Sequence, residues 1–161
     1  MASRPTRLLI VRHGQSTWNA DGRWQGQADP PLSALGAAQA QAAADVVPDV
    51  DLMVASDLAR ARQTAEIIAT ARQLSAVRLD ERLRERNSGD WTGFTREEIE
   101  LAWPGWLDAG RLPENFEQHH ESVCDVPYSL TTREGVYSSI AWARRYDCVI
   151  SRPLSSEPPL R

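Results

Sequence analysis

Lysine is absent from the 161 residues, and all 18 basic side chains are arginines. Any anion site must then be assembled from guanidinium groups and backbone amides. Cysteine occurs only at Cys124 and Cys148, too seldom for a disulfide scaffold and in keeping with a reducing cytosol. No apolar run approaches the length of a membrane span; Leu8–Val11 is strand-sized. The opening Met1-Ala2-Ser3-Arg4-Pro5 lacks the apolar stretch of a signal peptide, so the expected location is cytoplasmic. An excess of positive charge is also missing. Eighteen basic residues against 22 acidic ones leave a net charge of −4, which argues against nucleic-acid and anionic-membrane partners. With 42% hydrophobic and 25% charged residues, the composition is that of one globular domain, here 1–161.

What is present alternates between strand and helix patterns. Thr6–Val11 reads as a short strand buried on both faces, leading straight into Arg12-His13-Gly14. A polar loop from Gln15 to Pro31 carries Trp18 and Trp24, both expected to be exposed. Ser33 is placed to cap a helix over Ala34–Val47 that Pro48 stops. Asp51–Ser56 is a second strand, and a helix follows from about Leu58 to Leu74 with Ala61, Ala65, Ile68 and Ala69 on one face. Val77–Leu79 suits a third strand. Thr95 and Glu98 form a capping-box pattern for a short helix ending before Pro104. A helix over Arg133–Tyr146 and a strand at Cys148–Ile150 are weaker expectations. This order predicts an α/β fold, a three-layer α/β/α domain with a mostly parallel central sheet.

In such sheets ligands gather beyond the carboxyl ends of the strands. The first strand delivers Arg12 and His13 there; the second delivers Ser56 and, a helical turn on, Arg60 and Arg62. Two guanidiniums can grip a tetrahedral dianion in bidentate fashion. A neutral imidazole between them is a nucleophile that needs no metal. Glu85, after the third strand, is a candidate to protonate a leaving oxygen. Taken alone, each residue has a bland reading. His13 would be a satisfied structural histidine, Arg60 and Arg62 a solvated helix face, Glu85 part of a charged loop, and Trp103 and Trp106 core packing or a lid. The adjacent His119 and His120 lack the spacing of a metal site.

The segment RHGQSTWNADGRWQGQADPPLSALGAAQA, starting at Arg12, resembles the opening of the histidine phosphatase superfamily, also called the phosphoglycerate mutase-like family. SDLARARQTAEIIA (Ser56–Ala69) and LRERNSGDWTG (Leu83–Gly93) resemble its second and third motifs, in the family's order and spacing over about residues 6–110. The resemblance implies that His13 becomes phosphohistidine, that Arg12 and Arg60 clamp the phosphoryl oxygens, and that Glu85 is the proton donor. Asn19, Gln25 and Gly26 resemble positions at the mouth of the phosphate pocket. It implies no cofactor and no metal, and a small phosphorylated metabolite as partner; a homodimer is left open.

One family element has no match. A late strand in the family ends in Ser/Thr-His-Gly, whereas this chain has His13, His119 and His120 only. The nearest formal match, Asp147–Pro153, puts Arg152 at the histidine position. Residues 119–161 are read as divergent and the fold as incomplete at its C-terminus. Truncation, a frame change near residues 118–124, or divergence would each account for this. The expected activity is metal-independent hydrolysis of a phosphate monoester, weakened by the missing second histidine. A phosphoglycerate mutase and a non-catalytic phosphate-binding protein are the alternatives.

Overall fold

The computed structural model describes residues 9–116 and the strand 148–153. The elements run β1 (Leu9–Arg12), α1 (Thr17–Ala20), α2 (Ala34–Val46), β2 (Val50–Ala55), α3 (Ala59–Ala71), β3 (Arg78–Leu79), α4 (Arg96–Ala102) and β4 (Cys148–Pro153). The strands form one sheet in the order β1-β4-β2-β3. Because β4 is antiparallel to both β1 and β2, those two run in the same direction, and β3 is parallel to β2. Three strands thus share a direction, as alternating strands and helices require, and β4 runs against them. The expected helix over residues 133–146, both residues of the His119-His120 pair and Cys124 lie outside the described residues.

The two longer helices owe their position to small side chains. Gly36, Ala40 and Ala44 form the buried stripe of α2, four residues apart, and α3 buries Ala61, Ala65, Ile68 and Ala69. Of these, Ala44, Ala65, Ile68 and Ala69 meet Val50, Met53 and Ala55 of β2 in one core, with Leu9 and Val11 of β1 packed against it. Leu52, pointing to the other face of β2, is 42% exposed. Helices α2 and α3 pack on the sheet through this one core. Ser33 caps α2 by accepting from the Gly36 N–H, and Val47, ahead of Pro48, is extended.

A second, aromatic core holds the opposite end of the described chain. Trp91, Ile99 and Phe116 are buried, with Trp24, Phe94, Trp103 and Trp106 around them. Trp24 stands edge-on to Trp91 with ring centroids 5.2 Å apart. Its expected exposure is therefore corrected. The backbone pairs Trp24 N–H with the Phe94 carbonyl and Gly93 N–H with the Trp24 carbonyl, which draws the loop onto this cluster. Trp103 and Trp106 belong to the same packing. The Thr95–Glu98 capping box of α4 is present in both directions. Among the described residues no helix is long and apolar enough to cross a membrane.

Candidate active site

The end of β1, the segment from Asn19 to Gly26, and the loop carrying Glu85 and Ser88 converge on a cavity of about 290 Å³. Arg12, His13, Asn19, Gln25, Gly26 and Glu85 all line it, together with Gly22, Arg23, Trp24 and Ser88. Arg12 ends β1 and is exposed; His13, the next residue, is buried. The backbone N–H of Gly14 donates to Thr64 Oγ1, and the Thr64 hydroxyl donates to the Arg60 carbonyl. The turn after β1 is thereby pinned to α3.

The His13 ring is held in one tautomer. Its Nδ1 lies 2.6 Å from the carbonyl oxygen of Gly14, an acceptor, so Nδ1 carries the proton and Nε2 keeps its lone pair. Burial lowers the His13 pKa from 6.5 to about 4, with the Arg60 and Arg12 charges adding to the effect and the Gly14 hydrogen bond opposing it. The imidazole is neutral at pH 7, the form in which it is a nucleophile.

Arg60 is fully buried and is not part of the cavity lining. Its Nη1 donates to the Ala28 carbonyl and its Nη2 to that of Gly26, each at 2.8 Å, and Nη2 lies 3.8 Å from Glu85 Oε2. The Arg60 guanidinium is thus held by the Gly26 and Ala28 carbonyls, beside Glu85, and its charge acts on His13. Asp29 of the same loop accepts from the Ala59 N–H, supplying α3 with the cap that Leu58 has no side chain to give. Arg62 is half-buried and does not line the cavity.

Glu85 is placed by its neighbour. Arg84 makes a bidentate pair with Asp57, its Nε 2.7 Å from Oδ1 and its Nη2 bonded to Oδ2. This ties the Glu85 loop to the turn between β2 and α3, and the Arg84 hydrogen bonds hold the Asp57 carboxyl below its usual range. Gly26, at φ +50°, faces Ser88 so closely that a Cβ would come 2.5 Å from the Ser88 nitrogen. Only glycine suits both the conformation and the contact.

Ser56 is buried but serves the backbone, accepting from the Leu58 N–H at 3.3 Å. Arg152 does not take the place of the second histidine. The antiparallel run of β4 pairs Cys148 with Arg12 and Arg152 with Leu52, so the backbone of Arg152 lies away from the carboxyl edge of β1 and β2. Ser88, Arg23 and Ser16 escaped the sequence reading. Ser88 lies inside the third motif, and its offset from Glu85 was the available signal.

The model of the histidine phosphatase superfamily (branch 1) matches residues 8–127. The glucosyl-3-phosphoglycerate phosphatase of Mycolicibacterium vanbaalenii is 42% identical over 128 residues, covering 76% of this chain and 56% of that protein. That of Mycobacterium tuberculosis is 44% identical over 126 residues, with the same coverage. The structure of mycobacterial glucosyl-3-phosphoglycerate phosphatase complexed with VO3 superposes with a TM-score of 0.65 at 40% identity, over 73% of this chain and 60% of that one. The chain thus spans about half the length of the curated relatives it matches. With the motifs, the fold and the placement of Arg12, His13 and Glu85 in agreement, the chain belongs to the histidine phosphatase superfamily.

Proposed function

We propose that this site hydrolyses phosphate monoesters without a metal, through a phosphohistidine on His13. The observation that carries the reading is the His13 ring, neutral, anchored through Nδ1 on Gly14 and set in a cavity with Arg12 and Glu85. Nε2 attacks phosphorus while the bond to the ester oxygen breaks, and Glu85 gives that oxygen its proton. Water then attacks the phosphohistidine and loses a proton to the Glu85 carboxylate; His13 leaves neutral and inorganic phosphate is released. Arg12 and Arg60 supply the positive charge that holds the phosphoryl oxygens. Phosphoryl transfer asks mainly for such positioning and charge stabilisation.

The relatives favour hydrolysis over mutase chemistry and point to an anionic substrate of the phosphorylated sugar or glycerate class, as the name glucosyl-3-phosphoglycerate phosphatase suggests. Turnover is expected to be slow. No histidine of the sequence stands in a Ser/Thr-His-Gly setting, and a missing transition-state donor costs on the order of a hundredfold or more. A mutase reading draws on relatives named probable phosphoglycerate mutase GpmB, 45–46% identical over 85 residues. The test is a phosphoryl-labelled monoester quenched in base. The expected result is an acid-labile adduct, lost in His13→Ala, with release of inorganic phosphate. Turnover that depends on a bisphosphorylated primer would favour the mutase, and phosphate binding with no adduct would favour a non-catalytic protein.

A further inference from the structure

We infer that Ser16 is a positioning residue, aiming the side-chain amides of Asn19 and Gln25 at an anion in the cavity; this rests on reading that cavity as a phosphoryl site. Ser16 is fully buried, at the N-terminal cap of α1. Its backbone N–H donates to Asn19 Oδ1 at 3.1 Å. A backbone N–H only donates, so the atom it meets must be the amide oxygen. The Ser16 hydroxyl accepts from the Asn19 N–H at 3.0 Å and gives its one proton to Gln25 Oε1 at 2.6 Å. One residue thus holds the oxygen ends of both amides.

The consequence falls on the nitrogen ends. Asn19 and Gln25 both line the cavity, and Gln25 is 7% exposed. With the oxygens turned to Ser16, each amide offers its NH2 edge as donor and keeps its acceptor away from an incoming oxyanion. Free rotation would let each amide present either edge, and an oxygen facing a phosphoryl oxygen repels it. Ser16 removes that choice before the ligand arrives, which is how pre-organised donors gain strength in a water-poor site. In a chain without lysine, these neutral donors supplement Arg12 in recognising a phosphoryl group.

The test measures inorganic phosphate binding to the full chain by calorimetry for the unsubstituted protein, Ser16→Ala, Gln25→Ala and the double variant. Ser16→Ala is expected to weaken binding about tenfold. Adding it to Gln25→Ala should cost far less, because the same donor is already gone. The fall in Tm from losing the α1 cap should be the same in both backgrounds. Unchanged phosphate affinity in Ser16→Ala, or losses that multiply in the double variant, would overturn the inference. A measurement on the unsubstituted chain covers the case where Ser16→Ala does not fold: phosphate should shift the side-chain NH2 resonances of Asn19 and Gln25, and resonances that stay put overturn it. Phosphate binding through these amides without an adduct on His13 keeps the inference and removes the hydrolytic reading. Absence of phosphate binding removes both.

Discussion

Gly14 and Gly36 touch backbone to backbone: a Cβ on Gly14 would lie 2.3 Å from the Gly36 carbonyl oxygen, and one on Gly36 would lie 2.0 Å from that of Gln15. The residue after His13 is thus pressed against the first turn of α2. Gln15 adds to the seam, its N–H donating to Gln39 Oε1 and its carbonyl accepting from Ser33 N–H. The position of His13 is set partly by a helix that contributes nothing to the cavity lining.

Gly36→Ala tests this seam. Helix propensity alone favours alanine by about 1 kcal/mol. The obstructing atoms belong to backbone, which cannot turn aside as a flexible side chain can, and overpacking of this kind costs about 1–3 kcal/mol. The expected outcome is a net loss of up to about 2 kcal/mol in urea unfolding, with weaker phosphate binding. A stabilised Gly36→Ala would show that α2 can move away from Gly14 freely.

The His13 pKa makes a prediction with a definite sign. The folded-state value, about 4, lies below the ordinary 6.5, so between these pH values the unfolded chain binds more protons than the folded one. Stability from the buried neutral ring is complete above pH 6.5 and is lost as pH falls toward 4, in total about 3 kcal/mol. His13→Gln should flatten this part of the stability curve. A titration of the His13 ring by NMR checks the cause directly, and a midpoint near 6.5 would remove the argument for a pre-formed neutral nucleophile.

Arg84 and Asp57 are predicted to govern Glu85 from one residue away. Both side chains are about one-third exposed, so their coupling in a double-mutant cycle should be about 0.5–1 kcal/mol of stability. The effect on turnover should be larger than this figure implies if Glu85 is the proton donor, because a displaced donor loses its alignment. In Arg84→Ala, kcat is expected to fall about tenfold or more with KM little changed. A rise in KM at constant kcat would place Arg84 in substrate binding instead.

Much of the site was legible because its signals are local. The strand Leu9–Arg12 leads straight into His13 and puts it at a strand end, and the Ser33 and Thr95–Glu98 caps depend only on residues three apart. The burial of Arg60 was not legible. On α3 its spacing fits a ligand or a solvated face equally, and the carbonyls of Gly26 and Ala28 that claim it lie more than thirty residues away in the chain. The direction of β4 was hidden for a similar reason, since periodicity marks a strand but its connections decide which way it runs. Trp24 looked exposed because its loop is polar, while its partners Trp91 and Phe116 come from distant segments.

Glu85 is best tested by varying the group that leaves. A nitrophenolate departs without help, because it is already a weak base, whereas an alkoxide needs a proton as the bond to phosphorus breaks. If Glu85 is the proton donor, Glu85→Gln should cost little in forming phosphohistidine from p-nitrophenyl phosphate and about 10²–10⁴-fold from an alkyl phosphate such as a glycerate or sugar ester. Hydrolysis of the phosphohistidine is common to both substrates and should slow equally for both, because water has lost its base. Glu85 also lies 3.8 Å from Arg60, so an alternative role is to balance that buried charge. In that case Glu85→Gln would slow both substrates by the same factor at the first step, and the ratio between them in single-turnover experiments separates proton transfer from charge balance.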